Sequence, residues 1–178
     1  MILKVARLGH PILRMKAKPV PIQQIPTPAF QVFLEDMAQT MIEYDGVGIA
    51  APQVHVSLQV AVIGVTQSNP RYPKAPKIPL RVLINPKVKP ILRQKVSDWE
   101  GCLSVEGFRG QVPRWKSVEV LAYNAQGRKV RFKASGFLAR VVQHEWDHLQ
   151  GSVYLDRMSN LRTLTHLTEF TRYWSKHD

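Results

Sequence analysis

The stretch Ser135-Gly136-Phe137-Leu138-Ala139-Arg140-Val141-Val142-Gln143-His144-Glu145-Trp146-Asp147-His148-Leu149-Gln150-Gly151 decides how the rest of the chain is read. Phe137, Leu138, Val141, Val142 and Leu149 form an apolar stripe at helical spacing. Ser135 stands where an N-cap is wanted, and Gly151 where a C′ glycine ends a helix. The spacing therefore predicts one helix across this stretch. His144 and His148, four apart, project from the same face one turn from each other, the H-E-x-x-H arrangement in which two imidazoles chelate one metal ion. Glu145 follows the first histidine directly, so its carboxylate can reach a water on that metal without taking a coordination position.

On either side of this helix the signals alternate as in one mixed α+β domain spanning residues 1–178. Thr27-Pro28 predicts a helix start, and Phe30, Phe33, Met37, Met41 and Tyr44 give an N-terminal helix one apolar face until Asp45-Gly46 ends it. Leu58–Val65 and Leu80–Asn85 read as short buried strands, with Pro86 closing the second and the segment Pro70–Pro79 an ordered loop between them. Lys116–Tyr123 and Arg128–Lys133 alternate apolar and polar residues around Asn124-Ala125-Gln126-Gly127, which predicts a hairpin. A C-terminal helix is expected with Leu161, Leu164, Leu167, Phe170 and Trp174 on one face, packed into the core, and Arg162, Arg172 and Lys176 elsewhere. The architecture expected is antiparallel or mixed β-sheets packed around a central metal-binding helix, with an N-terminal and a C-terminal helix.

The chain has 178 residues, 44% hydrophobic and 21% charged, enough to bury one core and too apolar for disorder. The longest clean apolar run, Val60–Val65, is far short of the roughly 20 residues a bilayer demands, so no membrane span is expected. Lys and Arg number 25 against 13 acids, and no acid precedes Glu35 or lies between Asp45 and Asp98. Such a surplus draws nucleic acid or another anionic surface, or simply forms a solvated basic face. The single cysteine, Cys102, rules out an internal disulfide. Met1-Ile2-Leu3-Lys4 opens neither a signal nor a transit peptide, so a bacterial cytoplasm is the expected compartment.

A catalytic metal site takes three protein ligands and leaves a position open, and Cys102, in Glu100-Gly101-Cys102-Leu103-Ser104, is the obvious third donor. A lone cysteine also serves as a small buried hydrophobe, or as a thiol nucleophile paired with a histidine, although the latter leaves the H-E-x-x-H spacing unexplained. Gly46-Val47-Gly48-Ile49-Ala50-Ala51-Pro52-Gln53 superficially fits a dinucleotide fingerprint. It follows a helix instead of a strand, and Pro52 obstructs a helix starting there, so no nucleotide cofactor is expected. What remains is a loop of small residues that lets a ligand approach the backbone, ending in an amide, Gln53, able to donate to an oxyanion.

Taken together, Gly46–Gln53, Glu100–Ser104 and Gln143–His148 resemble the G-x-G-x-A-A-x-Q, E-G-C-L-S and Q-H-E-x-D-H segments of peptide deformylases, in the same order. Gly9–Arg14 and Gly151–Met158 resemble the stretches that open the family's chains and follow its metal helix, so the likeness covers nearly the whole sequence. The resemblance implies hydrolysis of the formyl group from N-formylmethionine at the start of nascent polypeptides. It implies Cys102, His144 and His148 as ligands of one divalent ion, Fe2+ first, with Zn2+, Ni2+ or Co2+ also able to occupy the site. Glu145 would serve as general base and then acid for a metal-activated hydroxide, with the oxyanion held by the metal, the Leu103 N–H and the Gln53 amide. The Gly48 backbone would bind the substrate main chain, and Val47, Phe137 and Val141 would line the methionine pocket. Arg109 matches a family arginine and would orient Glu100 through a bidentate pair.

One departure is visible: Glu106 stands where the family commonly has proline. Two other readings remain at this level, another kind of H-E-x-x-H metallopeptidase and an RNA-binding module built on the net charge of +12. The second is compatible with a deformylase that docks on the ribosome through its basic face.

Overall fold

The fold is described from a computed structural model, which describes residues 1–175. The N-terminal helix α1 spans Pro28–Glu43 and buries Phe30, Leu34, Met37, Thr40 and Met41. Thr27 holds the N-cap position, but its hydroxyl donates back to the Gln24 carbonyl at 2.8 Å and gives the helix no side-chain cap. The chain then runs through β1 (Gly48–Ala50) into a single 3-10 turn, Ala51–Val54, and on to β2 (Val60–Val65) and β3 (Ile78–Pro90). Next come β4 (Lys95–Cys102), β5 (Val105–Trp115), β6 (Ser117–Tyr123), β7 (Lys129–Ser135) and α2 (Gly136–Leu149). The end of the described chain holds β8 (Thr165–His166) and α3 (Leu167–Tyr173).

Five strands form one antiparallel sheet in the order β1-β2-β3-β6-β7, and β4-β5-β8 form a second of three. Alternation along β2 and β3 explains why both of their faces are buried. Val60, Val62 and Ile84 pack with α1 residues Phe30, Met37 and Met41, whereas Ile63 and Leu83 pack with Val118, Val120 and the α2 residues Ala139 and Val142. The wide sheet thus lies between the two long helices, and α2 is buried from Ala139 to His144 and beyond. At its end Gly151, with φ +78, donates to the His148 carbonyl, and an added Cβ would lie 2.8 Å from the Arg14 carbonyl oxygen. Only glycine satisfies both demands.

Three expectations are corrected. Pro86 does not close a strand: β3 continues to Pro90, and the missing N–H is absorbed where the pairing with β6 shifts register between Ile84 and Lys87. Asn85, at φ 51, turns its side chain there to bond both the N–H and the carbonyl of Val20 at 2.8 Å. The stretch Gly46–Gln53 is not a loop throughout, because Gly48–Ala50 form β1, paired with Ala61–Ile63 of β2, and Ala51–Val54 wind into the 3-10 turn. The long C-terminal helix is in fact a 3-10 turn at Leu161–Thr163, the strand β8 paired with Phe108 and Arg109, and the seven-residue α3. Leu161 and Leu167 are exposed, while the Phe170 and Trp174 rings pack against Trp99 at centroid distances of 4.9 and 5.4 Å. Lys176 lies outside the described residues. No helix among the described residues is long and apolar enough to cross a membrane.

Candidate metal centre

Three separate pieces of chain meet at one buried point. The face of α2 presents His144, Glu145 and His148; the turn between β4 and β5 presents Cys102; and the 3-10 turn after β1 presents Gln53. One ligand atom each from Cys102, His144 and His148 lie within 4.8 Å of one another, and all three residues are buried. Cys102 Sγ is 3.3 Å from His148 Nε2. His144 turns Nδ1 to Glu100 Oε2 at 2.9 Å, which aims Nε2 at the cysteine. A thiolate and two imidazoles converging in this way fit a borderline divalent ion.

The electrostatics agree with that donor set. Burial alone would keep the Cys102 thiol protonated, but the His148 charge and hydrogen bonds from both histidines pull it well below its ordinary value. Burial works against a charged His144, yet its bonds to Cys102 and Glu100 raise it well above the usual histidine range. Positive charge is thus wanted where a cation would sit. Burial pushes Glu145 up to about 7, opposed by the charges of His144 and His148. Its Oε2 and His148 Nδ1 are buried without a hydrogen-bond partner among the described residues.

Around the ligands each group is itself held. The Gln53 amide lies 3.4 Å from Cys102 Sγ and donates to Ser104 Oγ at 3.2 Å, while its oxygen accepts from the Ala50 N–H at 2.8 Å. Glu100 is gripped by Arg114, Nε to Oε1 at 2.8 Å and Nη2 to Oε2 at 3.0 Å, and by Arg140 Nη1 at 2.8 Å. Burial opposes the Glu100 charge, but Arg114 and the His144 bond hold the carboxyl well below the usual carboxylate range.

Arg109 was expected in the place Arg114 takes. Glu100 stands opposite Gly110 in the β4–β5 register, so strand alternation puts Arg114 on its face and Arg109 on the other. Arg109 instead donates to the Arg71 carbonyl at 2.6 Å and lies over the rings of Tyr72 and Phe170, at 4.6 and 5.0 Å. Arg114, Arg140 and Asp147, which Arg114 and Arg157 both bond, are the residues sequence reasoning missed. The parity of Arg114 relative to Glu100 was the available signal, and it became usable only once β5 was known to be a strand.

Val47, Gly48, Phe137 and Val141 line one pocket with Cys102, His144, Glu145, Leu103 and Gln53. Phe137 and Val141 also pack in the core beneath it. Glu106 forms an ion pair with Arg7 at 2.9 Å, and Arg7 in turn donates to the Leu103 carbonyl at 2.8 Å. The position that lacks the proline is thereby tied to the cysteine loop.

A buried thiolate and two imidazoles with a carboxylate beside them, on this fold, fit a metal-dependent hydrolase. The family model described as Polypeptide deformylase matches residues 2–163. Peptide deformylase 1 of Nitrosomonas europaea is 46% identical over 162 residues, covering 91% of this chain and 90% of that protein. Peptide deformylase 1 of Bordetella pertussis is 42% identical, with 90% of each covered. Among solved structures, the Met-Ala-Ser-bound class I type b peptide deformylase of Acinetobacter baumannii superposes with a TM-score of 0.85 at 40% identity, covering 89% of this chain and 99% of that one. The peptide deformylase of Thermotoga maritima gives 0.77 at 33% identity, covering 90% and 99%. The chain belongs to the polypeptide deformylase family and is one of its enzymes.

Proposed function

We propose that this protein removes the formyl group from N-formylmethionine at the start of nascent polypeptides, releasing formate, with one divalent ion held by Cys102, His144 and His148. The observation that carries the reading is the meeting of those three ligand atoms within 4.8 Å, beside Glu145, in a chain of this family. Fe2+ is the ion proposed first; Zn2+, Ni2+ and Co2+ suit the same donors. When bound, such an ion polarises the formyl oxygen and lowers the pKa of an attacking water.

The chain's own residues account for the remaining steps. Glu145 takes a proton from the attacking water and returns it to the leaving nitrogen, a role suited to a carboxyl that burial raises to about 7. The Gln53 amide and the Leu103 N–H donate to the developing oxyanion. β1 is the edge strand of its sheet, so the Gly48 backbone can hydrogen-bond an extended substrate. Val47, Phe137 and Val141 receive the methionine side chain. Glu100, held by Arg114 and Arg140, keeps His144 in the tautomer that presents Nε2.

The test is formate release from formyl-Met-Ala-Ser by anaerobically purified protein, with metal analysis on the same sample. Release that is lost in Glu145→Gln with metal retained supports the reading. No release by metal-replete protein overturns it.

We also propose that the enzyme docks on the ribosome in a bacterial cytoplasm, a setting supported by its bacterial relatives. On the face of the wide sheet beyond α1, the register brings together Lys87, Lys89, Lys129, Arg131 and Lys133 around Glu119 and Leu121. Phosphate contacts through that face would make ribosome co-sedimentation fall steeply with salt. Binding that survives Lys87→Glu with Lys133→Glu would sink this second reading.

A further inference from the structure

The segment 66–77, between β2 and β3, crosses from the Gly46 side of the pocket to its Gly101 side, lends Arg71 and Tyr72 to its lining, and is pinned at both. On one side Asn69 donates to the carbonyls of Asp45 at 3.0 Å and Gly46 at 3.4 Å, just before the Val47-Gly48 stretch. The same side chain accepts from the N–H groups of Arg71 at 2.9 Å and Tyr72 at 3.1 Å, which fixes the turn of the segment. On the other side the Tyr72 hydroxyl accepts from the Gly101 N–H at 3.2 Å, one residue before the ligand Cys102. Its ring is tilted against Phe137, with centroids 5.4 Å apart, and carries the Arg109 guanidinium at 4.6 Å.

Tyr72 lines the same pocket as Val47, Phe137 and Val141. Those three also pack against the core cluster under α2, so their size is constrained from behind. Tyr72 is half-buried, sits on the crossing segment and belongs to none of the core clusters. Its size can therefore change without opening a core cavity. We infer that Tyr72 is a specificity-determining residue: its ring, clamped between Phe137 and Arg109 and tethered to Gly101, closes the outer wall of the side-chain pocket and sets its width for an unbranched apolar side chain. This rests on the proposed deformylase reading and adds to it which residue limits the first side chain of the substrate.

The experiment compares kcat/KM for formyl-peptides that differ only in the first residue, methionine, norvaline or phenylalanine, in metal-loaded wild type, Tyr72→Phe, Tyr72→Leu and Tyr72→Trp. Tyr72→Leu is expected to raise the phenylalanine-to-methionine ratio by about tenfold, the scale on which a few carbons in an apolar pocket discriminate. Tyr72→Trp is expected to shift selectivity the opposite way, toward norvaline, by a similar factor. Tyr72→Phe keeps the ring, so its ratios should match wild type within about twofold. Tyr72→Trp adds bulk only at the half-buried crossing segment and carries the test even if Tyr72→Leu does not fold. Wild type that cleaves the methionine peptide, with ratios unmoved in the folded variants, overturns this inference alone. Wild type that cleaves none of the peptides overturns the deformylase reading and this inference with it.

Discussion

Gly48 and Glu145 lie so close that a Cβ built on Gly48 would stand 2.3 Å from Glu145 Oε1 and 2.7 Å from its carboxyl carbon. The glycine at the edge strand and the carboxylate on α2 are thus two halves of one fit. Replacing Gly48 by alanine should leave β1 paired with β2 but push the Glu145 carboxylate aside. Formate release should fall by about 100-fold, the usual consequence of displacing a catalytic group by roughly 1 Å. Overpacking should cost about 1–3 kcal/mol in chemical denaturation. Activity within threefold of wild type would show that the carboxylate has room to move.

Glu145→Gln separates chemistry from stability. Turnover should drop by about 10²- to 10⁴-fold with metal content unchanged, as expected for loss of a general base. In metal-stripped protein the same change should stabilise the fold, because burial raises the Glu145 carboxyl to about 7 while an unfolded glutamate titrates near 4.3. The unfolded chain loses its proton first as pH rises, so wild type loses stability relative to the variant between about pH 4.3 and 7 and no more above that. The gap should reach on the order of 3 kcal/mol at pH 8 and close at pH 4, read from denaturation midpoints.

Arg114 and Arg109 should behave as opposites. Arg114→Leu removes the bidentate partner of Glu100 and one partner of Asp147, both buried, and should cost about 3 kcal/mol. Arg140 and Arg157 remain on those carboxylates and keep the loss from being larger. Metal affinity should weaken by about 10- to 100-fold as His144 loses its fixed orientation. Arg109→Ala, which does not touch Glu100, should leave metal affinity within about threefold of wild type in competition with a chelator.

Cys102→Ser tests the ligand set directly. A hydroxyl in place of the thiolate should weaken metal retention by on the order of 100-fold or more, since even outer partners of a ligand are worth about 10- to 100-fold. Wild type should melt higher with added metal by mass action, and the variant should show little of that gain. An equal metal-induced rise in both proteins would remove Cys102 from the site.

How much was legible beforehand depended on how local the causes were. Helix α2 and its His144, Glu145 and His148 face follow from residues within four positions of one another, as do the apolar face of α1 and the β6–β7 hairpin. β4 and β5 carry no clean alternation and include Gly107, Gly110 and Pro113, so their strand state comes from pairing with each other. The C-terminal stripe had helical spacing at Leu161, Leu164 and Leu167. There β8 pairs with β5, and the side chain of His166 caps a helix that starts only at Leu167.

The helix of His144, Glu145 and His148, the α+β class and the family could be read from the residues alone, because those are written in short spacings and in three motifs taken in order. That Arg114 and not Arg109 holds Glu100, that Gly48 makes room for Glu145, and that Tyr72 lines the pocket came only with the folded chain. Each of these is a contact between residues far apart in the chain. Strand register and the crossing of the segment 66–77 set such contacts, and neither leaves a periodic trace in the residues themselves.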